Sequence, residues 1–104
     1  MAHIHRRVFY AKVGMADSLV NHFHEADKFM RQYGANLKRR VLTDYFSGRN
    51  DRVVIEWETE NAGDVEATLA KFMSQPKARE EFKRWESKLQ EMIHYSEVEN
   101  WTIQ

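Results

Sequence analysis

The fold is decided by residues 37–59, which read LKRRVLTDYFSGRNDRVVIEWET. Two stretches rich in β-branched and aromatic residues, 37–46 and 52–59, flank a short polar segment that contains Gly48. Such stretches favour β-strands, and a polar segment with glycine between them is typical of a hairpin turn. The centre of the chain is therefore predicted to form two antiparallel strands.

The predicted hairpin also accounts for an uneven distribution of charge. Residues 1–52 carry ten Lys and Arg against five Asp and Glu, whereas residues 53–104 carry six against eleven. Matching the apolar faces across the turn sets Val41 near Trp57 and Tyr45 near Val53. That register places opposed charges side by side, namely Arg40 with Glu58 and Lys38 with Glu60, and such pairs stabilise a sheet by roughly 0.2–1 kcal/mol each. We interpret the asymmetry as pairing within the sheet and expect no nucleic-acid partner.

The elements on either side of the hairpin complete the fold. Residues 3–13 and 98–103 have strand composition, whereas residues 17–33 and 64–93 have helical periodicity. Pro76 divides the second helical region, because proline is tolerated in the first turn of a new helix. The resulting order, β-α-β-β-α-β, predicts one α+β domain over residues 1–104. Its arrangement is ferredoxin-like, with helices on one face of a four-stranded antiparallel sheet.

The first helix has one apolar face, and His22 lies on its margin. The face consists of Leu19, Phe23, Ala26, Met30 and Tyr33, which recur at steps of three and four residues. Gly34 is predicted to end the helix as a C-terminal cap residue. His22 is thus the ionisable group that the pattern places closest to the core.

Composition limits the classes of function. The chain has 104 residues, no net charge and no cysteine, so it offers no disulfide, thiolate nucleophile or cysteine-based metal site. No apolar run approaches the roughly 18 residues of a membrane span, and no apolar leader follows the charged N-terminal residues. We therefore expect no membrane partner and a cytoplasmic location.

Recognisable catalytic and metal motifs are absent from the sequence. There is no glycine-rich phosphate loop, nucleophile elbow or His-Glu-x-x-His segment. His3 and His5 would point to one side of a strand, as a pair of metal ligands should, but no third ligand is in view. We therefore predict that the protein binds no metal.

The strands of the hairpin mix apolar and polar residues on both faces. One face of residues 52–59 carries Val53, Ile55 and Trp57, and the other carries Val54, Glu56 and Glu58. A sheet with one covered face and one wet face would show cleaner alternation. The mixture indicates that the second face is also partly covered, most simply by a second copy of the protein. The fourth strand, with Trp101 and Ile103 and no Pro, Lys or Arg, is an unprotected edge that favours the same conclusion.

Three segments carry a resemblance to a known superfamily. They are Gly14-x-x-Asp17, Leu42-Thr43-Asp44…Ser47-Gly48 and Phe72-Met73-Ser74-Gln75-Pro76…Phe82…Trp85. With the element order, these segments resemble the dimeric α+β-barrel superfamily, and its NIPSNAP-like and antibiotic-biosynthesis-monooxygenase-like members in particular. The resemblance implies a homodimer whose two sheets face each other as a barrel. It also implies a cavity for a small organic ligand between sheet and helices.

One chemistry of that superfamily is not expected here. Its haem-degrading members use an Asn, a Trp and a His at positions that carry Arg7, Phe72 and Phe82 in this sequence. Without the histidine there is no proximal ligand for the iron. We therefore predict no haem and no other cofactor.

The candidate ligand-binding residues are His22, Tyr45, Trp57, Tyr10 and Arg39. His22 meets Tyr45 and Trp57 if the shared face of their strands points toward the helices, whereas the faces that Tyr10 and Arg39 occupy are not fixed by the pattern. A histidine beside a tyrosine and an indole suits a planar compound with polar edges, or proton transfer. The alternative interpretation is that His22 is a boundary residue bonded to backbone or water, with Tyr45 and Trp57 in the core.

Three functions are compatible with these residues. The first is a small-molecule-binding α+β-barrel protein, either a cofactor-independent oxygenase or an isomerase. The second is a non-catalytic module of the same fold that binds a ligand or another protein. The third is a nucleic-acid-associated ferredoxin-like domain, which would need exposed aromatics interleaved with unpaired Lys and Arg on the open face of the sheet.

Overall fold

The computed structural model describes residues 2–44 and 50–104. Its elements are β1 (His3–Ala11), α1 (Ala16–Gln32), β2 (Arg39–Thr43), β3 (Arg52–Thr59), α2 (Asp64–Met73), α3 (Pro76–Met92) and β4 (Ile93–Thr102). The predicted ferredoxin-like α+β order is confirmed. No helix in these residues is long and apolar enough to cross a lipid bilayer.

The sheet has the order β2-β3-β1-β4, with β1 and β3 at its centre and every neighbouring pair antiparallel. Alternate residues of each strand point to opposite faces. On the central strands Phe9, Val53 and Ile55 point toward the helices and are buried against Leu19 and Phe23 of α1. The core therefore lies between one face of the sheet and the three helices.

The ends of the helices follow from single residues. Gly34 adopts a φ of +87° after α1, a left-handed conformation that glycine adopts without steric strain, and it ends the helix as predicted. Pro76 occupies the first turn of α3, so the second helical region is two helices. α3 then passes directly into β4 at Ile93, whose backbone is extended. As a result β4 begins five residues earlier than predicted.

The predicted hairpin register is wrong by two residues. Val41 pairs with Ile55 and Arg40 with Glu56, and Val53 pairs with Thr43. A shift of two residues leaves every side chain on the same face, so matching apolar faces does not distinguish the two registers. Lys38 consequently approaches Glu58, at 3.5 Å, instead of the predicted Glu60.

The face of the sheet opposite the helices, here called the open face, is organised around Glu56. This carboxylate is 6 % exposed. The Arg6 side chain donates two hydrogen bonds to its Oε1, and Arg40 Nε and Nη2 donate to its Oε2 at 3.1 and 2.9 Å. Burial acts to raise the pKa of Glu56, but the hydrogen bonds and charges of Arg6 and Arg40 outweigh it and the net pKa is lowered.

We expect Glu56→Gln to lower the free energy of unfolding by about 2 kcal/mol at pH 7, because two charge-assisted hydrogen-bond pairs lose their acceptor charge. A carboxylate with a lowered folded-state pKa contributes stability above its unfolded pKa, and this contribution is lost as the pH falls through the folded value. Urea unfolding from pH 7 to pH 3 measures the effect. The stability difference between wild type and variant should shrink toward acid, and a difference independent of pH would contradict the assignment.

Candidate functional site

A cavity of about 490 Å³ lies between the sheet and the helices. Aromatic rings from every layer form its walls, including Phe9 and Trp57 of the sheet, Phe23 of α1, Phe72 of α2 and Phe82 and Trp85 of α3. The volume lies within the range of small-molecule pockets, which are concave and mostly apolar with a few polar groups. The predicted face of β3 does point toward the helices, and it brings Trp57 to this cavity.

Two arginines from neighbouring strands contribute the cationic groups of the cavity. Arg39 of β2 is held in place, since its Nη1 donates to the Phe23 carbonyl oxygen at 2.8 Å and its Nε lies 3.4 Å from Asp27 Oδ1. Burial lowers the pKa of Arg39, and Asp27 acts in the opposite direction. Arg7 of β1 is partly buried, with its guanidinium carbon 6.0 Å from the centre of the Trp57 ring.

Arg7 is fixed by His5, its neighbour on the same face of β1. Arg7 Nε donates to His5 Nε2 at 3.2 Å, and His5 Nδ1 lies 2.8 Å from Asn100 Oδ1 of β4. The His5 ring is 6 % exposed and packs at a tilt against Trp57, with ring centres 5.6 Å apart. The two side chains therefore form a short chain from the edge strand to the cavity wall.

The structure does not bring all the predicted site residues together. Trp57 and Arg39 line the cavity, whereas Tyr10 lies on the open face, where its hydroxyl donates to Glu97 at 2.6 Å and its ring stacks on Tyr95. Tyr45 lies outside the described residues. The ligand-binding role of the whole set stays a prediction.

His22 joins α1 to α3 and does not line the cavity. Its Nε2 lies 2.7 Å from the Trp85 carbonyl oxygen, and Trp85 Nε1 donates to the His22 carbonyl oxygen at 2.7 Å. The two rings stack with centres 4.7 Å apart and planes 5° from parallel. This is the alternative interpretation of His22, a boundary residue bonded to backbone. It reaches the cavity only through Trp85, which forms part of the wall.

The three positions compared with haem-degrading proteins meet in this cavity. Arg7, Phe72 and Phe82 all line it, and its described lining includes no histidine, cysteine or tyrosine. A haem iron bound there would lack the imidazole, thiolate or phenolate ligand that such proteins use. The donor set therefore does not fit haem.

A second, smaller recess of about 310 Å³ lies at the end of the sheet where β1 begins. His3, His5 and Glu66 line it together with Asn100. His5 Nδ1 lies 3.5 Å from Glu66 Oε1, and His3 Nδ1 lies 3.3 Å from Thr102 Oγ1. Across the described chain, no three His, Cys, Asp or Glu side chains converge in a way that could hold a metal ion.

Sequence reasoning missed the roles of His5 and Arg7. It considered His5 only as half of a metal pair and Arg7 only as a departure from haem-degrading proteins. The available signal was the strand alternation that puts His5, Arg7 and Phe9 on one side of β1. Because Phe9 is buried against the helices, the two polar side chains must face the helices as well.

We expect His22→Ala to lower the free energy of unfolding by about 2 kcal/mol, because a buried hydrogen bond and a stacked ring pair of about 1 kcal/mol each are lost. His24→Ala is the matched control, since His24 lies on the same helix and is exposed. It should change stability by less than about 0.5 kcal/mol. Urea unfolding measures both. Equal effects of the two substitutions would show that the contact between His22 and Trp85 contributes no stability.

Comparison with known proteins shows the fold. No protein-family model and no curated protein sequence matches the chain. Among solved structures, it is similar to a NIPSNAP-like domain protein from Burkholderia xenovorans at a TM-score of 0.75 and 13% identity, over 99% of this chain and 85% of that one. SnoaB, a cofactor-independent oxygenase from Streptomyces nogalater, gives a TM-score of 0.67 at 14% identity, over 99% and 93%. A putative antibiotic biosynthesis monooxygenase from Chloroflexus aurantiacus gives 0.66 at 16%, over 100% and 94%. The chain therefore has the fold that NIPSNAP-like and antibiotic-biosynthesis-monooxygenase-like proteins share.

Proposed function

We propose that this protein binds a small, planar and largely apolar organic compound in the cavity between its sheet and its helices. The observation that carries the proposal is the aromatic lining of a cavity of about 490 Å³. Side chains in a tightly packed core leave few voids larger than a water molecule. Aromatic faces on opposite walls, from Phe9 on the sheet to Phe82 on α3, would stack on a flat ligand.

The catalytic form of this proposal is a cofactor-independent oxygenase or isomerase. SnoaB, which shares the fold, is described as a cofactor-independent oxygenase. In such a reaction the bound compound itself supplies the electrons to dioxygen, so the protein has to orient the compound and exclude water. The alternative is a non-catalytic module that binds the same class of ligand. Turnover of a bound compound under air distinguishes the two, since the module would release it unchanged.

Filling the cavity tests the binding proposal. Met73 lines the cavity at the end of α2, so we expect Met73→Trp to reduce binding of the neutral fluorescent compound N-phenyl-1-naphthylamine at least tenfold. Ala70→Trp adds the same ring at an exposed position of the same helix and should leave binding unchanged. Fluorescence titration provides both affinities. Binding by Met73→Trp at wild-type affinity would place the compound elsewhere and remove the proposal.

We further propose that a second copy of the chain covers the open face, giving a homodimer joined through its sheets. The proposal is supported by exposed apolar side chains on this face, namely Leu42 on one edge strand and Tyr95 and Trp101 on the other. Strand β4 also lacks the Pro, Lys or Arg residues that protect sheet edges. Covering a face of this size would bury more than about 1,000 Å², the scale of a specific interface.

The same face offers little to nucleic acid. Its cations Arg6 and Arg40 are bound to Glu56, and Glu97 and Glu99 stand among its aromatics. A single-strand binding surface needs cations free to meet phosphates. These contacts favour a second copy over a nucleic acid as the occupant. We retain a cytoplasmic location as part of the proposal, because a chain without cysteine needs no oxidising compartment to fold.

We expect sedimentation at micromolar concentration to give about twice the chain mass of 12.5 kDa. Trp101→Lys should give monomer, because it places an unpaired charge within the proposed interface. Val13→Lys is the control, since Val13 is fully exposed and lies between β1 and α1, outside the sheet. A wild-type protein that sediments as a stable monomer would remove the dimer while leaving the cavity proposal intact.

A further inference from the structure

Arg7 differs from every other described arginine of the sheet in its partners. Each of the other four has a carboxylate, since Arg6 and Arg40 bind Glu56, Arg39 lies beside Asp27 and Arg52 binds Asp44. In the described part of the chain, no carboxylate lies within 4.0 Å of the Arg7 guanidinium. Its contacts are a histidine nitrogen and the face of an indole. Among the described residues, the Arg7 charge in this largely apolar cavity therefore has no counter-ion in contact with it.

The contact with His5 determines which donors of Arg7 remain available. Because Arg7 Nε donates to His5 Nε2, that nitrogen carries no proton, and the ring proton lies on Nδ1 toward Asn100 Oδ1. His5 thus uses both nitrogens, and Arg7 uses only Nε. The two terminal amino groups of the guanidinium are left for another acceptor, and two N–H groups in a plane match the two oxygens of an anion.

Resting on the cavity proposal above, we infer that Arg7 is the anion-binding residue of the cavity and His5 its positioning residue. The ligand class is an aromatic compound that carries an anionic oxygen group. Its oxygens would accept from the terminal amino groups of Arg7, while its ring lies among Trp57, Phe9 and Phe82. A compound of this shape would fill the apolar volume of the cavity and bring a negative charge to Arg7.

Glu86 sets the orientation in which an anionic ligand would bind in the cavity. It also lines the cavity, but it is exposed and lies on α3, whereas Arg7 is partly buried on the central strand. An anionic group would be repelled at the Glu86 side and attracted at the Arg7 side. The ligand therefore binds with its charged end toward the sheet.

Two dyes with one skeleton test the inference. 1-Anilinonaphthalene-8-sulfonate carries an anionic group, and N-phenyl-1-naphthylamine is the same molecule without it. We expect Arg7→Met and Arg7→Gln to weaken binding of the anionic dye about tenfold or more, the change that follows from loss of a charge-assisted pair, and to leave the neutral dye unchanged. Arg31→Met, which removes a guanidinium from outside the cavity, should alter neither affinity. Glu86→Gln should maintain or increase binding of the anionic dye.

The same titration tests the positioning role of His5 with a separate pair of variants. His5→Ala should weaken the anionic dye several-fold without affecting the neutral one, and His5→Gln should restore affinity because its amide oxygen can accept from Arg7 Nε. Circular dichroism identifies variants that remain folded. If the anionic dye binds the Arg7 variants at wild-type affinity, the inference is overturned. If His5→Ala leaves the anionic dye unaffected while Arg7→Met does not, the positioning role of His5 is overturned.

The outcomes separate this inference from the proposal on which it rests. If Met73→Trp abolishes binding of the neutral dye while the Arg7 substitutions leave binding of the anionic dye unchanged, the cavity proposal is supported and the anion site is rejected. Failure of both dyes to bind the wild-type protein rejects the cavity proposal itself.

Discussion

The alternation of β1 is the constraint on which the candidate site depends. β1 is a central strand, so one of its faces must lie under the helices, and the residues there include His5 and Arg7 as well as Phe9. Arg7 stands opposite Ile55 on β3 and Val98 on β4, at the middle of the sheet. An apolar side chain at that position would extend the core. A guanidinium cannot pack in the same way, and the cavity lies beside it.

Residues that line this space also join the helices to one another, since the rings of Phe23 on α1 and Trp85 on α3 lie with centres 5.7 Å apart. α1 and α3 are joined by the reciprocal hydrogen bonds and ring stacking of His22 and Trp85, which set their separation above the sheet. A separate cluster of Ala35, Phe72 and Ala78 packs at the far end of α2 and the start of α3. Trp85 from the first point of attachment and Phe72 from the second both line the cavity. Large rigid rings on its walls have few rotamers with which to fill it.

The sequence determined the elements more closely than their pairing. Helical period, Gly34 and Pro76 act locally, so the helix ends were predicted to within about a residue, whereas the start of β4 was predicted five residues too late. In the observed register of β2 on β3, Arg40 stands opposite Glu56, and Arg6 and Arg40 share that carboxylate. This contact is not visible in a pattern of period two. The candidate site shows the same difference between features that a local pattern predicts and features that depend on packing. Alternation put Trp57 on one face with Val53 and Ile55, and the structure turns that face toward the helices. The neighbours of His22 depend on how α1 is rotated against α3, which the periodicity of one helix does not determine. Arg7 and His5 were overlooked because both faces of their strand carry polar residues.

The two faces of the sheet differ in how their buried charges are compensated, and the two proposals made above, a dimer interface and a ligand site, follow this difference. On the open face, Glu56 neutralises two arginines at once, and those side chains satisfy one another without an outside partner. Because Glu56, Arg6 and Arg40 already compensate one another, covering these three side chains leaves no uncompensated charge among them. On the helix-covered face, Arg7 is held by a neutral ring and lacks a described carboxylate partner. Charge left uncompensated in an apolar cavity disfavours the empty state and lowers the cost of desolvating an anion there. In the proposal made above, the same strand presents charges that compensate one another on one side and, on the other, an arginine whose counter-charge a ligand would supply.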